Sequence, residues 1–171
     1  VFFPEFRDAA RWRATGVEIL NREIGEQVYD DGMQYELDLH YHHESIGIFF
    51  KALQMMDANG YRGDFPAEYL ATVERMIDAY IDCSFPDYST PLFSDNRFQE
   101  KAVLLPGYRA WAEVFPENAA IRWMATEGRD GHPNGRKSLL RGPHPPPHGV
   151  VRRQAVLRHR RRSFRRGAGR S

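Results

Sequence analysis

Apolar residues recur in this chain at intervals of three and four, and that spacing constrains its fold more than any other feature. Phe6, Ala9, Ala10, Trp12, Ile19, Leu20, Ile24 and Val28 follow it. So do Ile46, Phe49, Phe50, Leu53 and Met56, and then Tyr69, Leu70, Val73, Met76, Ile77, Tyr80 and Ile81. Such a period lays one apolar stripe along a helix. It predicts helices over 5–28, 41–57, 67–83, 98–115 and 117–126. Pro4, Pro66 and Pro116 stand where helices begin, and Asn59-Gly60 where one ends. Pro106 is expected to kink the fourth helix or split it. Neither a βαβ alternation nor a run of strands occurs, so the first 126 residues read as all-α.

The remaining sequence signal is concentrated in DDGMQYELDLHYHHESIGIFF, residues 30–50. Asp30-Asp31-Gly32 is a turn, since glycine takes a positive φ without strain. Met33, Tyr35 and Leu37 then alternate with Gln34 and Glu36, which predicts an extended segment with the apolar set facing inward. His40, Tyr41, His42 and His43 follow where loop becomes helix, a place where chemistry is often set. Three histidines invite a metal, but their spacing matches no ligand pattern and no Cys or H-x-x-x-H supports one. No metal and no other cofactor is expected.

Taken singly, each of these residues has an ordinary structural reading. Tyr41 would be a half-buried aromatic at a helix start, Glu36 a capping or neutralising carboxylate, and Asp95 and Asn96 turn formers. Trp12, Trp111 and Trp123 sit in helical patterns as core, or else as exposed aromatics on which a sugar ring could stack in a cleft, and Cys83 is a buried structural thiol. Arg97, Lys101 and Arg109 are either a solvated face or contacts for a sulfate-like group, which Arg binds bidentately.

Charge divides the chain. Residues 1–136 carry 13 Lys and Arg against 23 Asp and Glu, a net of −10, whereas residues 137–171 carry 11 basic residues and no acid. The later part is rich in Pro and Arg and poor in apolar residues, a composition that does not build a core. It reads either as a polyanion- or nucleic-acid-binding arm or as the product of a slipped reading frame near Arg136. Out-of-frame translation of GC-rich DNA yields this mixture of Arg, Pro, Gly, His and Ala, and the abrupt loss of acid favours the slip. No stretch approaches the ~20 apolar residues of a membrane span. A start at Val-Phe-Phe-Pro reads as the interior of a longer protein.

Two stretches, QVYDDGMQYELDLHYHHESIGIFFKAL and SFPDYSTPLFSDNRFQEKA, share a motif order with a known family. The first carries Asp31-Gly32, Glu36 and Tyr41-His42; the second carries Pro86, Tyr88, Pro91 and Asp95. In these positions, over 1–131, the chain resembles the heparinase II/III-like polysaccharide lyases, on their heparan-sulfate lyase side. The resemblance implies a partial α/α toroid of antiparallel helices over 1–131, with 132–171 a disordered basic tail. It implies β-elimination on a heparan sulfate-like, anionic uronic-acid polysaccharide, in a periplasmic or secreted setting. Tyr41 would be the catalytic acid/base, with its pKa depressed by neighbouring cations or donors. His42, Glu36 and Gln34 would be substrate-binding positions.

The family's catalytic Asn and His fall outside the matched residues, so the chain alone is expected to be inactive. A partial toroid is also expected to expose apolar helix faces. The alternative from another class is a non-enzymatic helical module whose Arg-rich tail binds polyanions.

Overall fold

The computed structural model describes residues 3–134, and its regular structure is helical. Helix α1 spans Ala9–Gln27, α2 Leu39–Ala58, α3 Ala67–Asp82, α4 Lys101–Val114 and α5 Ala119–Ala125, with a short 3-10 turn at Arg62–Asp64. No strand occurs among the described residues; a single antiparallel bridge joins Val28 to Gln34. The all-α expectation holds for this part of the chain. A disordered tail over 132–171 was expected, and from residue 135 on it lies outside the described residues.

Helix α3 is the centre. It packs against α1, α2 and α5, and α4 packs against α5. Its apolar stripe is the strongest in the sequence, and Tyr69, Val73, Met76, Ile77 and Tyr80 are all buried. Ile46, Phe49, Phe50 and Leu53 of α2 and Tyr108 and Trp111 of α4 complete the same core. Asn118 ties α5 to α3. Its side-chain oxygen accepts from the N–H groups of Ala120 and Ile121, while its amide donates to Glu74 and Asp78. One side chain thus caps a helix and sets its docking.

Four sequence expectations need correction. Helix α1 begins at Ala9 rather than at 5, and Trp12 is 55% exposed instead of in the core. Only Ala9 and Ile24 of that helix are buried, so Trp12 and Ile19 form an outward apolar face. Pro106 lies inside a continuous α4, so of the two outcomes expected for it the split does not occur. The proline leaves the Ala102 carbonyl without its usual helical donor, and Ala102 is exposed. Helix α4 also starts at Lys101, leaving Phe98 65% exposed in the preceding loop.

The fourth correction concerns residues 33–37, where Met33 packs against the core and Glu36 is exposed as the pattern predicts, but Gln34, Tyr35 and Leu37 depart from it. Gln34 is buried, at 3% exposure, while Tyr35 and Leu37 face out. The segment is the return arm of a tight hairpin, with Tyr29 N–H donating to Met33 O and Tyr35 N–H to Gln27 O. Gly32 makes that hairpin possible. Its φ is +93°, and a Cβ there would lie 2.2 Å from the Arg75 carbonyl oxygen of α3. Gly32→Ala is therefore expected to cost about 2–3 kcal/mol, combining a left-handed backbone with a main-chain clash. A urea midpoint unchanged by the substitution would refute that reading.

Candidate active site

Asp38 builds the site. It is the N-cap of α2, with one carboxylate oxygen accepting from the N–H groups of His40 at 2.8 Å and Tyr41 at 3.1 Å. An aspartate at this position satisfies donors that a helix start leaves free and complements the helix dipole. Its second oxygen accepts the Asp95 N–H at 2.9 Å, across 57 residues of sequence. Burial pushes the Asp38 carboxyl up, yet donors from Tyr41, Asp95, His40 and Ser94 outweigh it and hold its pKa below the usual range. Sequence reasoning missed Asp38. Starting the helix at Tyr41 placed the residue in a loop, although an Asp followed by a helical run is itself an N-cap signal.

Tyr41 therefore projects from the first turn of α2, 40% exposed, beside the loop that carries Asp95. Its hydroxyl donates to Asp95 Oδ2 at 3.1 Å. That hydrogen bond, then the charge of Asp95, raises the phenol's pKa. The expected depression is thus reversed among the described residues. The groups acting on Tyr41 include the carboxylates Asp95, Asp38 and Glu36, and an anion favours the protonated phenol. Backbone strain marks both sides of this contact: Leu37, before Asp38, has φ +57°, and Ser94, before Asp95, has φ +56°. Non-glycine residues in this region cluster where the surrounding structure over-determines the chain.

His42 and Gln34 occupy the interior behind Tyr41. His42 is fully buried; its Nδ1 accepts from the Gln34 N–H at 3.2 Å and its Nε2 lies 2.9 Å from the Met76 carbonyl. Because the Gln34 amide can only donate, Nδ1 is the bare nitrogen and Nε2–H donates to Met76. Burial holds the ring neutral by lowering its pKa to about 4. The Gln34 side chain accepts from the Glu36 N–H at 3.0 Å. Both residues thus brace the hairpin against α2 and α3. Glu36, by contrast, is exposed.

The other histidines lie apart from this pair of contacts. His43 stacks on Tyr80, ring centres 5.0 Å apart, and meets Trp111 edge-on, whereas the His40 ring sits 5.6 Å from Tyr41. No group of three His, Cys, Asp or Glu side chains arranged to hold a metal occurs among the described residues. Asn96 steadies the second motif by donating to Thr90 Oγ1 and to the Pro91 carbonyl, and Tyr88 donates to the Met124 carbonyl at 2.6 Å. Lys101 is paired with Glu127 at 2.7 Å, and Arg109 approaches the same carboxylate at 3.9 Å. Arg97 is exposed on the loop two residues after Asp95. Cys83 is half-buried, with a thiol pushed up to about 11 by burial, so it stays protonated.

A family model described as the heparinase II/III N-terminus matches residues 1–123. The chain belongs to the heparinase II/III family. Heparin-sulfate lyases of Bacteroides stercoris and Pedobacter heparinus are 52% and 47% identical to it over 130 and 131 residues. Those matches cover 76% and 77% of this chain but 20% of each relative, so the chain spans about a fifth of their length. Among solved structures, the heparan sulfate lyase HepC of Pedobacter heparinus superposes with a TM-score of 0.72 at 47% identity, over 78% of this chain and 21% of that one. A crystal structure of a heparinase III superposes at 0.71 with 26% identity, over 78% and 22%. The helical arrangement described above is thus that of heparinase II/III helical regions. No helix among the described residues is long and apolar enough to cross a membrane.

Proposed function

We propose that this chain is the helical-domain portion of a polysaccharide lyase that cleaves heparan sulfate-like chains by β-elimination, with Tyr41 as its acid/base. The observation that carries this reading is the Tyr41 phenol, exposed at the start of α2 and aimed by Asp95, in a chain 52% identical to a heparin-sulfate lyase. In such a reaction the proton α to the uronate carboxylate is removed. Its bonding electrons form the C4=C5 double bond, the C4–O bond breaks, and the departing oxygen takes up a proton. A phenol held protonated beside an anion is suited to the last step, as the donor to the leaving oxygen.

The carboxylate-rich surroundings of Tyr41 would repel an anionic sugar, so cations that neutralise the developing dianion are assigned to the larger lyase. Glu36 is proposed to face the substrate. Gln34 and His42 are proposed to serve binding indirectly, by holding the hairpin that presents Glu36. The helices are proposed to form part of an α/α toroid over 1–131, in a periplasmic or secreted enzyme without a cofactor.

The test is a chimaera in which residues 1–131 replace the matching fifth of the Bacteroides stercoris lyase. It is expected to cleave heparan sulfate and to leave a neutral glucan untouched. A folded chimaera that fails to cleave heparan sulfate would contradict the assignment.

A further inference from the structure

We propose that Asp38 is a positioning residue for Tyr41: one carboxylate holds the start of α2 and the Asp95 loop together, so that Asp95 fixes the direction of the phenol. This rests on the lyase reading given above for Tyr41. Three observations lead to it. Asp38 is only 4% exposed and its two oxygens divide their work, Oδ1 to α2 and Oδ2 to the Asp95 N–H. Asp95 then returns to the same helix by accepting from the Tyr41 hydroxyl. The circuit closes between residues 54 and 57 apart in sequence, so neither motif can form it alone. Finally, the residues just before Asp38 and Asp95 both hold left-handed φ values, a cost that local sequence does not repay.

A helix cap alone needs one oxygen, and serine supplies it. Asp38→Ser should therefore keep the cap and release the loop, whereas Asp38→Ala should lose both. In the full chain, hydrogen exchange at the Asp95 amide is expected to rise at least tenfold in Asp38→Ser, while the thermal midpoint stays above that of Asp38→Ala. Tyrosine ring-carbon labelling, assigned with Tyr41→Phe, follows the phenol itself. The groups acting on it are Asp95 from the loop and Asp38 and Glu36 from the hairpin side, and the His40 ring of its own helix lies 5.6 Å away. With the loop released, the Tyr41 titration midpoint is expected to move down toward that of Asp95→Ala.

In the chimaera, kcat is expected to fall about 10–100-fold in Asp38→Ser with KM little changed, the signature of a misplaced group. Wild-type exchange at Asp95 together with an unmoved Tyr41 titration in Asp38→Ser would overturn the proposal. Full activity of Tyr41→Phe would instead remove the acid/base role read for Tyr41, an outcome separable from those two solution measurements.

Discussion

Tyr41→Phe in the chimaeric lyase is expected to lower kcat on heparan sulfate by about 10²–10⁴-fold, the range that a positioned proton donor contributes. The substitution removes one oxygen and one hydrogen bond, to Asp95, from a side chain that is already 40% exposed. Folding should therefore be almost unaffected, and KM should change little. A second expectation separates proton donation from mere orientation. If Tyr41 protonates the departing oxygen, a uronate carrying a leaving group that needs no proton should restore most of the lost rate. Steady-state kinetics on both substrates test this, and an equal defect on each would mean that Tyr41 does not act as the acid.

His42→Ala is expected to destabilise the fold by about 3–5 kcal/mol, a large share of the ~5–15 kcal/mol that holds a domain together. The change removes a fully buried ring, leaves a cavity, and strips the Gln34 N–H of its acceptor. The wild-type ring also carries a pH signature. Its folded pKa of about 4 lies below the unfolded value of 6.5, so the unfolded state takes up the proton first. Its contribution is intact above pH 6.5 and is lost as pH falls from there toward 4, by about 3 kcal/mol in all. Urea unfolding across that interval should show stability falling steeply in the wild type and less steeply in His42→Gln. Identical slopes for the two would show that His42 is not the group being protonated.

How far the fold could be read in advance depended on which residues carried the information. Helix α3 was legible because seven apolar residues at helical spacing have no other way to be buried together. Trp12 was misread for the same reason: its spacing is helical, but its face is left outward. Gln34 defeated the alternation rule because the hairpin turns that residue inward, and its amide oxygen is satisfied there by the Glu36 N–H. Tyr41 was legible only through a motif in a known order. Its partner Asp95 was legible as part of a second motif but not as a contact, because nothing local signals a hydrogen bond across 54 residues. Asp38 had a local signal, and it was hidden by placing the helix start two residues late. The direction of the Tyr41 shift was misjudged because it was inferred from the role the resemblance implies, whereas the structure brings a carboxylate to the phenol.

These helices are proposed to supply the proton-transferring tyrosine of an eliminating enzyme. The most direct test of that role is the mass spectrum of the heparan sulfate fragments released by the chimaera. Every fragment released downstream of a cut is expected to be one water lighter than hydrolysis would give, with an ultraviolet-absorbing double bond at its new non-reducing end, and almost none is expected from Tyr41→Phe. Downstream fragments of hydrolytic mass, or the same yield of unsaturated fragments from Tyr41→Phe, would contradict it.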